Sequence, residues 1–146
     1  MLTKASLILV VPFLLQASDQ APSPKIKTEE AAKALVESAM KKFISEDYKG
    51  GIDLLIPYWK VSKNELDTMV MQTITSRVTV KARYGASIGY EFISQKMIGQ
   101  SFLKFTYIEK LENTAIRYTF VFYRPSDSWE MQNLFWDDKV ALLFTE

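Results

Sequence analysis

Two stretches decide the fold: Phe102-Leu103-Lys104-Phe105-Thr106-Tyr107-Ile108-Glu109-Lys110-Leu111 and Ala115-Ile116-Arg117-Tyr118-Thr119-Phe120-Val121-Phe122-Tyr123. Large apolar side chains recur at every second position. They are Leu103, Phe105 and Tyr107 in the first stretch, and Ile116, Tyr118, Phe120 and Phe122 in the second. Successive side chains of a strand point to opposite faces, so this alternation marks strands with one face on a core. Lys104, Thr106, Ile108, Arg117, Thr119 and Val121 fill the positions between. Glu112-Asn113 turns the chain, giving a hairpin with strands over about 102–111 and 114–124. Upstream, Tyr90 and Phe92 belong to a strand over about 88–97, and Gly99-Gln100-Ser101 makes the turn. Downstream, Pro125-Ser126-Asp127-Ser128 is a hairpin loop and a fourth strand begins at Trp129. Trp129 and Met131 share a face, but Leu134 and Trp136 are out of step with them. A bulge near Gln132-Asn133 restores the phase. Asp137-Asp138 ends the strand, and Val140, Leu143 and Phe144 are expected to form a last packing turn.

Before Gly89 the period is helical. Thr28 is an N-cap with Glu29 and Glu30 in the first turn, where carboxylates favour the positive helix end. Leu35, Val36, Ala39, Met40 and Phe43 then predict a helix over about 29–45. Asp47 caps a short helix from Tyr48 to about Leu55, which Gly50-Gly51 weakens and Pro57 stops. Ser62 and Glu65 have the spacing of a capping box. Leu66, Met69, Val70, Ile74 and Val78 follow as the expected buried stripe of a third helix over about 63–83, with Gly85 at its C-terminal cap. The β-branched run from Thr73 to Val80 favours a strand, but the capping box and the helical period outweigh it. The expected architecture is α+β: three N-terminal helices packed on a curved four-stranded antiparallel sheet, with a concave cavity at its open end.

The chain of 146 residues holds a single domain of ordinary size, 48% hydrophobic and 24% charged. It has no cysteine and no histidine. Disulfides, Cys or His metal sites, a Ser-His-Asp triad and a Cys-His dyad are therefore excluded. Lys4 followed by the apolar run Ala5–Leu15 and by Gln16-Ala17-Ser18 has the layout of a secretory signal peptide over residues 1–17. The run is too short for a spanning helix, which needs about 20 residues. Removing it takes Lys4 and no acid from 18 basic and 17 acidic residues, leaving a formally neutral chain. Such a chain has no general electrostatic pull on nucleic acid or anionic lipid. Residues 18–27 are expected to be a linker and 28–146 the domain. Export without cysteine points to a bacterial periplasm or the cell exterior.

Several phrases resemble the nuclear transport factor 2-like, cystatin-like α+β superfamily. They are Glu46-Asp47-Tyr48, Leu54-Leu55-Ile56-Pro57-Tyr58-Trp59, Tyr84-Gly85, the hairpin Phe120-Val121-Phe122-Tyr123-Arg124-Pro125-Ser126-Asp127-Ser128-Trp129, and Trp136-Asp137-Asp138. The hairpin and closing segment are similar to those of small exported bacterial members. The resemblance covers about 28–146 and implies a cone with a pocket between helices and sheet. Relatives include isomerases, dehydratases, epoxide hydrolases, cyclases, and binding or dimerisation modules, and fold alone does not choose among them.

Dehydratases of that family rely on His with Asp, which this chain cannot supply. Isomerases use a carboxylate base with a Tyr and a neutral acid. Glu91, the acid inside the first strand, alternates with Tyr90 and Phe92 and is expected to face away from the core. The expected pocket residues are Arg77 on the third helix, a carboxylate-binding type of side chain, and Tyr90, Tyr107 and Tyr118 on the inner strand faces. No metal and no cofactor is expected. The first expectation is a non-catalytic binding module for a small apolar or amphiphilic ligand. The alternatives are an isomerase-, cyclase- or dehydratase-type enzyme using Tyr and carboxylate, and a structural homodimer. Phe102, Lys104, Thr106, Ile108, Arg117, Thr119, Val121 and Tyr123 give the outer sheet face a mixed character suited to a homodimer.

Overall fold

The computed structural model describes residues 24–145. Helix α1 (Glu29–Ile44) is followed by α2 (Tyr48–Leu55), a 3-10 turn at Ile56–Tyr58, and α3 (Lys63–Tyr84). Strands β1 (Ser87–Ile98), β2 (Phe102–Leu111), β3 (Ala115–Tyr123) and β4 (Glu130–Asp137) complete an antiparallel sheet in sequence order. The chain is thus an α+β domain, with helices first and a meander after.

The sheet has its register shifts in the outer strand pairs. β1 slips against β2 between Ser87 and Gly89 and again between Phe92 and Ser94. Between β3 and β4, Val121 pairs with Asn133 and Phe122 with Met131. Gln132 is therefore the extra residue, at the expected bulge. Each bulge bends its strand. Past it, Leu134 and Trp136 return to the inner face.

The inner face carries Leu103, Phe105, Tyr107, Ile116, Tyr118, Phe120 and Phe122, all buried. Against them α1 buries Ala32, Val36, Ala39, Met40 and Phe43. The weak spot in α2 has a packing reason. A Cβ on Gly51 would lie 2.3 Å from the Phe43 ring, so only glycine lets the two helices approach this closely. Gly85 caps α3 at φ 88, a conformation that favours glycine.

The Ser62–Glu65 capping box forms in full: the Ser62 hydroxyl accepts the Glu65 N–H, and the Glu65 carboxylate accepts the Ser62 N–H. Ser62→Ala is expected to cost about 1 kcal/mol. A urea titration would show it as a lower midpoint with an unchanged slope.

Three expectations change. The stripe of α3 turns: Leu66, Thr73 and Arg77 are its buried positions, with Met69, Val70, Val80 and Tyr84 half-buried against the core. Ile74 and Val78 are instead 42% and 69% exposed. The reason is electrostatic. Arg77 meets a carboxylate sealed inside the sheet, and a buried charge left unpaired costs more than two exposed aliphatic side chains. The second change is at the linker expected over 18–27, whose last residues are docked. Ile26 is buried and bridges to Trp129, while Lys27 binds Asp127. The signal peptide expected over 1–17 and the first part of that linker lie outside the described residues. Finally, the closing turn forms as a 3-10 helix at Val140–Phe144, but Phe144 is 90% exposed and does not pack.

Candidate functional site

Four elements converge on one buried polar cluster. The period of β2 puts Glu109 on the same face as Phe105, Tyr107 and Leu111, and its side chain is fully buried. Arg77 projects from α3 and donates Nη2 to Glu109 Oε1 at 2.7 Å. Its Nε donates to the Tyr48 hydroxyl of α2 at 3.0 Å. From β3, the Tyr118 hydroxyl donates to the other Glu109 oxygen at 3.2 Å. The guanidinium carbon also lies 5.4 Å from the Tyr48 ring centroid and 5.6 Å from that of Trp136. Burial first, then the Glu109 charge, pushes the Tyr118 phenol well above its ordinary range. Burial raises Tyr48 too. Both phenols keep their hydrogens, and Glu109 faces two donors.

A cavity of about 380 Å³ opens beside this cluster, between α3 and β4. Phe43, Ile52, Met69, Leu134 and Trp136 form its apolar walls. Gln72, Thr73 and Ser76 form a polar strip along α3, and Tyr118 separates the cavity from Glu109. Phe43 stacks on Tyr118 with ring centroids 5.4 Å apart, which holds that partition in place.

The four expected pocket residues divide. Tyr118 lines the cavity. Arg77 does not; it belongs to a groove on the other flank of α3. Tyr107 is a core residue whose hydroxyl donates to Glu37 at 3.2 Å, with Phe92 and Phe120 against its ring. Tyr90 packs at the core margin, its ring 6.1 Å from Tyr107. Neither Tyr90 nor Tyr107 borders the cavity, because α1 covers their end of the sheet. Glu91 faces outward, as its alternation implies, opposite Ile108.

Glu109 and Tyr48 are the residues that sequence reasoning passed over. Glu109 was in phase with Phe105 and Tyr107. Tyr48 stood four positions before Ile52, on the buried line of α2. A base of the isomerase kind must reach substrate. Glu109 is walled from the cavity by Tyr118 and held by Arg77. Among the described residues no cluster of acidic side chains could hold a metal ion, and no helix is long and apolar enough to cross a membrane.

Comparison with family models, with curated proteins and with solved structures gives no match.

Proposed function

We propose that this protein is an exported, non-catalytic binding module of the nuclear transport factor 2-like kind, taking a small apolar or amphiphilic ligand between α3 and β4. The observation that carries the reading is the cavity itself: about 380 Å³, walled by Phe43, Ile52, Leu134 and Trp136, with a few polar groups on one side. That is the composition of a small-molecule pocket. The reading is further supported by the chemistry behind the wall, where Arg77 and Glu109 neutralise each other.

N-phenyl-1-naphthylamine, a neutral fluorescent apolar probe, tests this. Its emission is expected to rise and saturate on titration, with transfer from Trp136 in the cavity wall. Ser76 is exposed at the cavity mouth. Ser76→Trp should obstruct the mouth and weaken the probe by about tenfold or more, about 1.4 kcal/mol. Saturable binding unaffected by Ser76→Trp, or no saturable binding, overturns the reading.

A second reading, a homodimer through the outer sheet face, is favoured by one observation. Phe102 and Phe135 remain 40% and 41% exposed there, while the Thr119 hydroxyl at the centre is buried with no hydrogen-bond partner. Light scattering on the wild type and on Val121→Arg tests it. A wild-type monomer, or a dimer indifferent to the substitution, rejects it.

A further inference from the structure

Helix α3 carries a second apolar stripe, on a flank that shares no residue with the cavity. Met71, Ile74 and Val78 are 62%, 42% and 69% exposed. Their spacings of three and four residues place them on one line of the helix. Asp67 lies one turn before Met71 on that line, and Lys81 lies three residues after Val78. Both are exposed, and each sits in a surface ion pair, Asp67 with Lys63 and Lys81 with Glu46. Along the flank the order is therefore acid, three apolar side chains, base.

The relief of this flank is as uneven as its charge. A groove of about 560 Å³ lies beside Ile74 and Val78, with Lys81 and Glu46 at its rim. Met71 stands clear of that groove, in the turn before Ile74.

Turned end for end, the flank complements itself. A two-fold axis level with Ile74 and Thr75 is halfway between Met71 and Val78. It sets Met71 of one copy against Val78 and the groove of the other, and Asp67 against Lys81. Each contact then occurs twice, because a two-fold interface uses the same patch on both partners. A parallel arrangement would instead place Asp67 on Asp67 and Lys81 on Lys81, and like charges across an interface select against it. An apolar small molecule leaves both end charges without a role, and an anionic lipid surface repels Asp67. A second copy answers the stripe, the groove and both charges at once.

We infer that α3 is a self-docking surface: two copies of this chain pair antiparallel through Met71, Ile74 and Val78, with Asp67 of each facing Lys81 of the other. Three apolar side chains per copy bury less than the roughly 1,200 Å² at which stable interfaces begin. The dimer is accordingly weak and forms only at high concentration. It uses neither the cavity nor the outer sheet face, so it stands independently of both readings above.

Sedimentation equilibrium between about 10 μM and about 1 mM tests this, a range that brackets weak association. Wild type is expected to pass from monomer to dimer within it. Asp67→Lys and Lys81→Glu each set like charges against each other across the interface, and each should dimerise about tenfold more weakly. Mixed in equal amounts, the two variants should associate about as well as wild type, because every reversed charge then meets an opposite one. The chain carrying both reversals should recover in the same way, so a folding defect in one variant does not decide the result. Val78→Asp, at an exposed position, should remove the dimer. Repeating the series with Val121→Arg excludes the outer sheet face and should leave the pattern unchanged. The inference is overturned if wild type stays monomeric throughout, or if neither mixing nor the double reversal restores association. It is also overturned if the dimer survives Val78→Asp, or if Val121→Arg abolishes the pattern.

Discussion

Arg77→Met is expected to destabilise the domain by about 3–5 kcal/mol, the cost of breaking a buried ion pair from one side. The substitution keeps most of the side-chain volume, so the loss is electrostatic rather than a cavity. Among the described residues it leaves Glu109, fully buried, with only the Tyr118 hydroxyl as a side-chain partner. A further measurement separates this account from a packing defect. Glu109→Gln in the Arg77→Met background should recover most of the loss, giving a coupling energy well above the few tenths seen for independent sites. Urea titrations of the four species supply it. Additive single substitutions would show that the pair is not the cause.

Phe43→Ala is expected to have a comparable effect, about 3–5 kcal/mol. Phe43 is 2% exposed and occupies a junction. Its ring stacks on Tyr118, forms part of the cavity wall, and fills the space that Gly51 leaves open. Truncation therefore enlarges the cavity and loosens the partition in front of Glu109. The void is apolar on most sides, so a small aromatic such as toluene should enter it. At 100 times its dissociation constant the ligand should return about 2.7 kcal/mol by mass action. Thermal melts of wild type and variant with and without toluene check this. A loss under about 1 kcal/mol would show that α1 and α2 collapse into the space.

The strands were the most legible part of the chain. Alternation from Leu103 to Phe122 placed the inner face correctly, and the phase break after Met131 located the bulge at Gln132. The ends of α1 and α3 were legible because caps are local chemistry: Thr28 with Ala31, and Ser62 with Glu65, lie three residues apart. The site was far less legible. Of its polar cluster, Arg77 and Tyr118 were singled out, while Glu109 and Tyr48 were not. Arg77 and Glu109 are 32 positions apart, and Arg77 and Tyr48 are 29 apart. No spacing rule connects such residues; only docking α3 over the sheet does.

What the sequence by itself determined follows from short-range physics. Side-chain alternation, capping and turn chemistry set the elements and their order. The absence of histidine and cysteine removed whole classes of catalysis before any packing was known. What only the tertiary structure decided is which way α3 faces. That helix carries aliphatic residues on more than one flank, so its period was compatible with burying Ile74 and Val78. The choice fell to a balance between elements distant in the chain: Arg77 had to reach a carboxylate that β2 had already sealed from water. Satisfying that charge turned two aliphatic side chains outward, and with them created the groove on the second flank of the helix.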